Sequence, residues 1–456
     1  MHLINKIKEF HKSSKNILFT TPGHCQGTVI PPNVENILGK KIFQSDLSEI
    51  IGLDNIREPH GLFLESQKKA AEIYNSSKSF YLYNGSTSGI LALMLTLLKE
   101  NDKVIIGRNA HTAVINGLIL TGANPVWVKN RWLKDWGVTG AIDIDDLIDK
   151  IKENTDAKAV FLTNPTYEGI VYDLSMISDL CKEKNIPLVV DEAHGALWNF
   201  SDLLPDTAIS QGADASVQSL HKTAGALTQA SIMHLGQDTL IDSERLQSCL
   251  NLINSTSPSY PILASIEGTI EYLNSKNGKN KIYDLIRNVK DFKKTLCRTG
   301  YISFLPDEYS SNYDITKIFA KIDGCTGHLA ADLLFEKHRI EVELDNEIGF
   351  LAYTGIGTTK ERLNLLKNAL LHLQKHSGAP RITDMEEVPE PYMATTCKKA
   401  YFSEKKQLPL KDAIGYVSGD LIVPYPPGIP IVIPGEVIRD EHLIFLEPDT
   451  TINVCV

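Results

Sequence analysis

The chain has 456 residues with 46 basic and 56 acidic side chains, so its formal net charge at neutral pH is −10. Hydrophobic residues make up 43% of the chain and charged residues 22%, close to the average of globular proteins, which excludes a disordered or fibrous chain. The negative charge disfavours nucleic acid and anionic lipid as partners. The length is sufficient for more than one domain.

The cysteines and the N-terminus indicate a compartment. The 7 cysteines are scattered and none forms a Cys-x-x-Cys pair, so the sequence predicts neither a disulfide framework nor a zinc ribbon. The first residues alternate apolar and basic side chains, unlike a signal peptide. No apolar run approaches the roughly eighteen residues of a membrane-spanning helix. We therefore expect a protein of the reducing cytoplasm.

Short apolar runs and longer runs of helical period alternate from about residue 68 to 235. Short apolar or β-branched runs predict strands at Ser79–Tyr83, Lys103–Ile106, Pro125–Val128, Ala159–Leu162, Pro187–Val190 and Ala215–Gln218. Runs of helical period lie between several of them, at Ser88–Leu98, His111–Leu120, Ile144–Glu153 and Leu174–Lys184. This alternation is typical of an α/β sheet of mostly parallel strands, whose ligands bind at the carboxyl ends of the strands.

The remaining sequence predicts the domain boundaries. Residues 236–300 have a helical texture, and strand-like and helix-like runs alternate again from residue 301. The polar, proline-containing stretch Ser377–Pro409 predicts a long connection. We therefore expect an N-terminal segment at 1–60, a large domain at 61–300 and a C-terminal domain at 301–456, with the connection at about 377–409.

A turn of small residues follows the first predicted strand. In Asn84-Gly85-Ser86-Thr87-Ser88-Gly89, the backbone N–H groups and hydroxyls lie at the positive end of a predicted helix, which suits a phosphate group. The alternative is a Ser or Thr N-cap between two glycines.

Two further strand ends carry charged residues. Asp191 follows the buried run 186–190, where an unpaired carboxylate is costly and needs a cation from the protein or from a ligand. Lys222 follows the run 216–220, where desolvation frees a lysine amine to form a Schiff base. The alternatives are a structural salt bridge and a surface lysine. In this order, a phosphate turn, an aspartate and a lysine are the three groups that pyridoxal 5′-phosphate requires.

Ordered motifs along most of the chain carry a resemblance to a known family. The motifs are Pro22-Gly23-His24, Gly52-Leu53-Asp54, Asn84–Gly89, Asn164–Tyr167, Asp191–Ala196, Ser219–Lys222 with Leu227–Ala230, Ser255–Tyr260 and Pro424–Pro430. The sequence resembles the Orn/Lys/Arg decarboxylase family of pyridoxal-phosphate enzymes, in a short form without the N-terminal wing domain. This resemblance implies an aspartate-aminotransferase-like large domain (fold type I), with a mostly parallel sheet, and a smaller α+β C-terminal domain.

The resemblance also implies roles for individual residues. Lys222 would bind the cofactor aldehyde and Asp191 would keep the ring nitrogen protonated. His111 would stack on the ring; without the family, it is equally a capping or core histidine. Ser255 and Thr256 would reach the phosphate in the neighbouring subunit, which makes a homodimer the minimal active unit. The remaining residues implied to contact cofactor or substrate are Ser86, Thr87, Ser88, Ala193, His194, Ser219 and His221.

Two positions depart from the family pattern. Thr112 stands where the family usually has lysine, and Leu197 where it often has histidine. Both are expected near the cofactor, so rate or specificity could differ. Lys222 and Asp191 are intact, so the cofactor chemistry should be retained.

The implied reaction is decarboxylation of arginine, lysine or ornithine to CO2 and the corresponding polyamine-pathway amine, with His221 or Lys222 as candidate proton donors. The side-chain cation of such a substrate needs an acidic partner, for which Asp420 and Glu436 are candidates; the alternative is that both are solvated surface carboxylates. Other functions stay open: an aminotransferase or lyase on the same fold, or a non-catalytic cofactor-binding homologue. No metal is expected, because His194 and His221 lack a metal-ligand spacing.

Overall fold

A computed structural model describes residues 2–13, 17–305, 313–373, 387–423, 428–446 and 450–456. The described chain begins with three helices, α1 (His2–Ser13), α2 (Pro32–Leu38) and α3 (Lys40–Ser45). The first backbone N–H groups of α1, at His2, Leu3 and Ile4, donate to the carboxylate of Glu267, which a helix N-terminus favours. This contact fixes the N-terminal segment to the large domain.

The large domain alternates strands and helices. In chain order they are α4 (Leu62–Tyr74), β1 (Lys78–Leu82), α5 (Gly85–Leu97), β2 (Lys103–Gly107), α6 (Thr112–Thr121), β3 (Asn124–Val128), the hairpin β4 (Asn130–Leu133) and β5 (Val138–Ile142), α7 (Ile144–Glu153), β6 (Val160–Thr163), α8 (Ser175–Lys184), β7 (Leu188–Asp191), β8 (Ala215–Gln218), α9 (Leu220–Thr223), β9 (Ser231–Leu235), α10 (Ser243–Ile253), α11 (Tyr260–Asn274) and α12 (Lys276–Cys297).

Seven strands form one sheet in the order β1-β9-β8-β7-β6-β2-β3. Every pair is parallel except the two that involve β9, which runs antiparallel to β1 and to β8. The α/β fold with a mostly parallel sheet is therefore confirmed, and each of the six predicted strands is present. The sequence analysis missed β9, which is buried throughout.

Alternate residues of each strand enter two separate cores. On β2, Val104 and Ile106 pack with α5 and α6, whereas Ile105 faces the core beneath α7 and α8. This period of two explains why both faces of the strands are apolar. Both faces of the sheet are thus covered, and polar side chains gather at the carboxyl ends of the strands.

The C-terminal domain is built on an antiparallel sheet. Its elements are β10 (Ile302–Phe304), β11 (Lys317–Ile322), α13 (Gly327–His338), β12 (Leu344–Asp345), β13 (Phe350–Tyr353), α14 (Lys360–Leu373), α15 (Cys397–Tyr401), β14 (Lys405–Pro409) and β15 (Thr451–Cys455). The first four strands pair in the order β10-β11-β13-β12, and β14 pairs with β15.

The connection predicted at 377–409 was wrong for its second half. The structure places α15 and β14 in that half, with the hydroxyl of Thr396 accepting the N–H of Lys399 at the start of the helix. Cys397 is buried in the same core as α5 and α6, so this segment belongs to a packed region. Residues 377–386 and the prolines at 424–427 lie outside the described residues.

Candidate active site

A cavity of about 400 Å³ opens at the carboxyl ends of the parallel strands. Its walls come from the N-termini of α5 and α6, the ends of β6 and β7, the segment around α9, and one residue near the C-terminus. The lining residues are Asn84, Gly85, Ser86, Thr87, Ile90, Asn109, His111, Thr112, Ala113, Thr163, Tyr167, Asp191, Ala193, His194, Ser219, His221, Lys222, Thr228, Gln229 and Ile429. Most of the predicted site residues therefore share one cavity.

The small-residue turn opens α5 without a side-chain cap. Asn84 occupies the N-cap position, and its side chain makes no capping hydrogen bond. Gly85 has φ +77°, a left-handed conformation that favours glycine. The hydroxyls of Ser86 and Ser219 lie 2.7 Å apart at the cavity wall. Ser88 is turned away, because its hydroxyl donates to the carbonyl of Gly85. The hydroxyls facing the cavity are thus those of Ser86, Thr87 and Ser219.

Asp191 is the last residue of β7 and is 8% exposed. One carboxylate oxygen accepts the backbone N–H of Ala193 at 3.1 Å. Within the described part of the chain, no lysine, arginine or histidine nitrogen pairs with this carboxylate within 4 Å. The salt bridge that offered a structural alternative is therefore not seen, and the charge faces the cavity.

The neighbouring Glu192 is buried on the opposite side of the strand. Its oxygens accept hydrogen bonds from the backbone N–H of Ala208 and from the side-chain amide of Gln218. Burial raises the pKa of Glu192 to about 7. This carboxylate is satisfied by the protein, whereas that of Asp191 is left for a ligand.

Lys222, on α9, reaches the same cavity. Its Nζ lies 2.8 Å from Nε2 of His194. Burial lowers the pKa of Lys222, while the negative charges of Asp191 and Glu343 oppose that shift. Desolvation therefore increases the fraction of neutral, nucleophilic amine at neutral pH.

Two histidines present one ring edge to the protein and another to the cavity. His111 is the N-cap of α6, where Nδ1 accepts the N–H of Ala113 at 3.1 Å. The ring of His221 is held through Nδ1, which donates to the carbonyl of Ala230 at 3.1 Å. Both line the cavity, and burial lowers the pKa of each. His111 therefore combines the capping role with a place at the cavity wall.

The two departures from the family pattern lie in different surroundings. Thr112 lines the cavity, with its hydroxyl 3.4 Å from Nδ1 of His111. Leu197 is 2% exposed and packs in a core beside Trp198. Only Thr112 can therefore contact a ligand directly.

Five predicted site residues do not line this cavity: Ser88, described above, and Ser255, Thr256, Asp420 and Glu436. Ser255 and Thr256 lie exposed in the loop before α11, where the carbonyl of Ser255 accepts the hydroxyl of Tyr83. Asp420 pairs with Lys405 at 2.9 Å. Glu436 is fully buried and contacts the ring of His442 at 3.1 Å. The structure therefore does not bring Asp420 or Glu436 to the substrate position that the sequence analysis expected.

The C-terminal domain supplies side chains that the sequence analysis missed. The hydroxyl of Tyr353, at the end of β13, lies 2.6 Å from Nδ1 of His194. The carboxylate of Glu343 accepts the hydroxyl of Tyr167, which lines the cavity. Sequence separation hides these contacts, because 159 residues separate Tyr353 from His194.

Arg108, just after β2, anchors another part of the C-terminal region beside the cavity. It is buried and donates to the backbone carbonyls of Pro389, Pro430 and Ile431. The amide of Thr112 donates to the carbonyl of Gly428. Together these bonds fix the segment whose Ile429 closes the cavity.

A larger cavity, of about 990 Å³, lies between α4, β1 and α10. Its side chains include Arg57, Glu58, Lys68, Lys78 and Glu244, but it holds no lysine paired with a histidine. We assign the chemistry to the smaller cavity. Among the described residues, no cluster of three or more His, Cys, Asp or Glu could hold a metal ion, and no helix is long and apolar enough to span a membrane.

Comparison with known families and proteins gives concordant matches. Residues 3–328 match the family profile described as Orn/Lys/Arg decarboxylase, major domain, and residues 382–447 match its C-terminal domain. The chain is 31% identical to the arginine decarboxylase of Halalkalibacterium halodurans over 447 residues, 96% of this chain and 91% of the relative.

Solved structures show the same fold. The lysine decarboxylase LdcF of Francisella novicida superposes with a TM-score of 0.84 at 20% identity, over 100% of this chain and 81% of the other. The ureidoglycine–glyoxylate aminotransferase of Bacillus subtilis superposes with a TM-score of 0.53 at 14% identity, over 70% of this chain and 85% of the other. The predicted aminotransferase-like fold is therefore confirmed.

Proposed function

This chain belongs to the Orn/Lys/Arg decarboxylase family, and we propose that it removes the α-carboxylate of arginine as CO2. The observation that carries the proposal is the single cavity shared by Lys222 and a buried Asp191 with no cationic partner in the described protein. Arginine is favoured over lysine and ornithine because relatives at about 31% identity, over nearly the whole chain, are named arginine decarboxylases.

Family membership implies pyridoxal 5′-phosphate, and the residues of the cavity fit that group. The hydroxyls of Ser86, Thr87 and Ser219 and the N-terminus of α5 suit its phosphate. The carboxylate of Asp191, which pairs with no cation among the described residues, suits a protonated ring nitrogen. The remaining residues suited to its ring and aldehyde are His111, Ala193, His221 and Lys222. When bound, the cofactor withdraws electrons from the substrate Cα, so that the carboxylate can leave as CO2.

Individual side chains of the cavity then have separate roles in the proposed reaction. Asp191 holds a proton on the ring nitrogen, because a buried negative charge raises the pKa of a cation beside it. Lys222 supplies a desolvated amine, and its neutral form is favoured by burial. His194, His221 and Lys222 are the candidates that return a proton to Cα after CO2 has left. Ile429 contributes an apolar side chain to the cavity wall.

We propose Glu343, instead of Asp420 or Glu436, as the group that attracts the substrate's side-chain cation. Its carboxylate is exposed and is held by the hydroxyl of the cavity residue Tyr167. A guanidinium can bind a carboxylate with two parallel hydrogen bonds, which favours arginine over lysine. Substituting Glu343→Gln should raise KM for arginine about tenfold, with a smaller change in kcat. An unchanged KM would remove this assignment.

A homodimer is the proposed active unit. The apolar side chains of Ile17, Phe19, Val29, Ile37 and Ile51 are strongly exposed in the single chain, Phe19 at 95% and Ile51 at 96%. An interface with a second copy would cover side chains of this kind. The exposed loop with Ser255 and Thr256 does not line its own cavity, so it is free to reach the site of a second copy.

Subunit mixing tests this arrangement. Chains carrying Lys222→Ala are coexpressed with chains carrying Ser255→Ala and Thr256→Ala. In a mixed dimer, one site would combine an intact lysine with an intact partner loop. We expect recovery to about a quarter of wild-type activity from the statistics of pairing. No recovery above the sum of the two separate variants, or a monomer in sedimentation, would contradict the proposal.

The cytoplasm is the proposed location. All 7 cysteines are free, as expected for a reducing compartment.

The reaction is tested by CO2 release from isotopically labelled arginine, lysine and ornithine, using the purified protein loaded with cofactor. Release with arginine preferred supports the proposal. A keto-acid product would indicate an aminotransferase, and a colourless protein that takes up no cofactor would indicate a non-catalytic homologue. Absence of CO2 from all three substrates would eliminate decarboxylation of basic amino acids.

A further inference from the structure

A chain of hydrogen bonds joins Lys222 to the C-terminal domain. Nζ of Lys222 lies 2.8 Å from Nε2 of His194. Nδ1 of His194 lies 2.6 Å from the hydroxyl of Tyr353, and that hydroxyl lies 2.9 Å from the backbone carbonyl of Tyr167. Lys222 and His194 belong to the large domain and Tyr353 to the C-terminal domain, so the chain crosses the domain boundary.

The direction of these hydrogen bonds follows from their terminal acceptor. A backbone carbonyl can only accept, and the hydroxyl of Tyr353 has a single hydrogen to donate. Donation to Tyr167 leaves the hydroxyl oxygen to accept from Nδ1–H of His194. In a neutral imidazole, Nε2 is then unprotonated and accepts from Lys222. This arrangement satisfies every group in the chain, as buried polar groups require.

The surroundings of His194 favour its neutral form. Its ring lies against the rings of Tyr167 and Tyr353, with centroids at 4.8 Å and 5.5 Å. Its backbone carbonyl accepts Nζ of Lys317 at 3.2 Å. Burial and the nearby Lys222, Lys317, His111 and His221 hold the pKa of His194 well below its ordinary value. The carboxylates near Lys222 are those of Asp191 and Glu343.

We propose that Tyr353 is a positioning residue that holds His194 in the Nδ1–H tautomer, so that Nε2 accepts a hydrogen from the amine of Lys222. In that tautomer Nε2 of His194 can accept an N–H of the neutral Lys222 amine, which leaves the lone pair on Nζ free to react with an aldehyde. The significance for catalysis rests on the proposed function of Lys222. The hydrogen-bond pattern itself is tested in the full-length chain freed of cofactor, so failure of one is distinguishable from failure of the other.

The tautomer is read directly by nitrogen NMR of the full-length chain labelled with ¹⁵N at histidine. The His194 signals are assigned by their loss in His194→Leu. We expect a protonated Nδ1 and an unprotonated Nε2 in the wild type, and loss of this pattern in Tyr353→Phe. Tyr313→Phe is the matched control, since its hydroxyl also donates to a carbonyl in the C-terminal domain, that of Lys317. A protonated Nε2 in the wild type, or an unchanged pattern in Tyr353→Phe, would overturn the proposal.

The second test measures the reactivity of Lys222 with trace acetic anhydride against pH, by mass spectrometry. Loss of a hydrogen-bond acceptor destabilises the ammonium, so the midpoint should fall by about one pH unit in Tyr353→Phe and in His194→Leu. The double variant should show no shift beyond that of His194→Leu alone, because Tyr353 acts through His194. An additional shift in the double variant would show that Tyr353 acts by another route and would overturn the proposal. If Tyr353→Phe does not fold, the proposal is still tested by the tautomer of His194 in the wild type and by the pH midpoint of Lys222 acetylation in His194→Leu.

Discussion

Two lysines from the two domains contact the same histidine, and their aspartate neighbours differ. Nζ of Lys317 pairs with Asp314 at 3.0 Å in a fully buried site and also donates to the carbonyl of His194. Lys222 contacts the ring of His194, while Asp191 faces the cavity and pairs with no cation among the residues that the structure describes. A buried carboxylate that pairs with a lysine of the same protein stabilises the fold. A buried carboxylate that lacks such a partner indicates where a ligand binds.

The carboxylate of Asp314 accepts further hydrogen bonds besides its ion pair with Lys317. Asp314 accepts the indole N–H of Trp198 at 3.0 Å and the backbone N–H and hydroxyl of Thr316. These contacts and Lys317 hold the pKa of Asp314 below its ordinary value in spite of burial. The pair therefore fastens β11 of the C-terminal domain to the segment that follows Asp191. Substitutions of Lys222, Lys317, Asp314 and Asp191 test whether the Lys317–Asp314 pair is structural and whether Lys222 and Asp191 serve a ligand.

The largest effect is expected for Lys222→Ala. Loss of the amine should lower CO2 release by about 10⁴-fold or more and abolish the visible absorption of the cofactor-loaded protein. The unfolding midpoint of the cofactor-free chain should change little, because the substitution removes a desolvated amine together with only one hydrogen bond among the described residues, the one to Nε2 of His194. Measurement of activity, absorption and thermal unfolding decides; a large loss of stability would place Lys222 in the structural class.

The reverse result is expected for Lys317→Met, which leaves Asp314 buried without its cation. The free energy of unfolding should fall by about 4 kcal/mol, measured with urea. The double change Lys317→Met and Asp314→Asn removes both charges and should recover part of this loss. If Lys317→Met were as stable as the wild type, the contrast between the two pairs would be lost.

Asp191→Asn should retain the fold but lose the charge that faces the ligand. We expect kcat to fall about 100-fold, since a neutral amide does not keep the ring nitrogen protonated. The free energy of unfolding without cofactor should stay within about 1 kcal/mol of wild type or rise, because no cation loses its partner. Steady-state kinetics and urea titration test both statements, and Asp191→Glu serves as the charge-preserving control.

The smallest effect is a dependence of stability on pH from two other buried acids. Burial raises the pKa of Glu168 and of Glu192 to about 7. In the unfolded chain these groups release protons at lower pH, so the folded state binds more protons between the two values. The contribution of each acid to the free energy of unfolding should therefore fall as pH rises from about 4.5 to 7, by about 3 kcal/mol.

This slope is measured by urea unfolding at several pH values. Compared with the wild type, Glu168→Gln should lose the part of the slope that Glu168 contributes, because the glutamine carries no titrating proton. An exposed control, Glu441→Gln, should leave the slope unchanged. Equal pH profiles in the wild type and in Glu168→Gln would show that Glu168 is ionised in the folded chain.

Much of the fold was predictable because it depends on local pattern. The parallel strands and their helices follow from the period of apolar residues, and the phosphate turn, Asp191 and Lys222 are recognisable because each follows a strand. The family assignment is confirmed by matches over most of the chain. The antiparallel strand β9 was missed because its five residues, Ser-Ile-Met-His-Leu, form a short run in which polar and apolar side chains are mixed.

The rest of the site depends on contacts between distant segments. Tyr353, Glu343 and Arg108 are unremarkable in sequence, and only the packing of the C-terminal domain brings the first two beside His194 and Tyr167. For the same reason Asp420 and Glu436 were candidates by proximity to a proline-rich motif, whereas the structure pairs them with Lys405 and His442. The roles of the individual cofactor contacts stay predictions.

The three hydrogen bonds from Arg108 to backbone carbonyl groups have a practical consequence for the design of a shortened form of this enzyme. A version cut back to the parallel-sheet half would lack the three carbonyl groups that accept hydrogen bonds from Arg108 and would lose Ile429 from the cavity wall. Truncation would therefore disrupt the cavity itself, so redesign should vary the exposed turns and leave residues 428–431 in place.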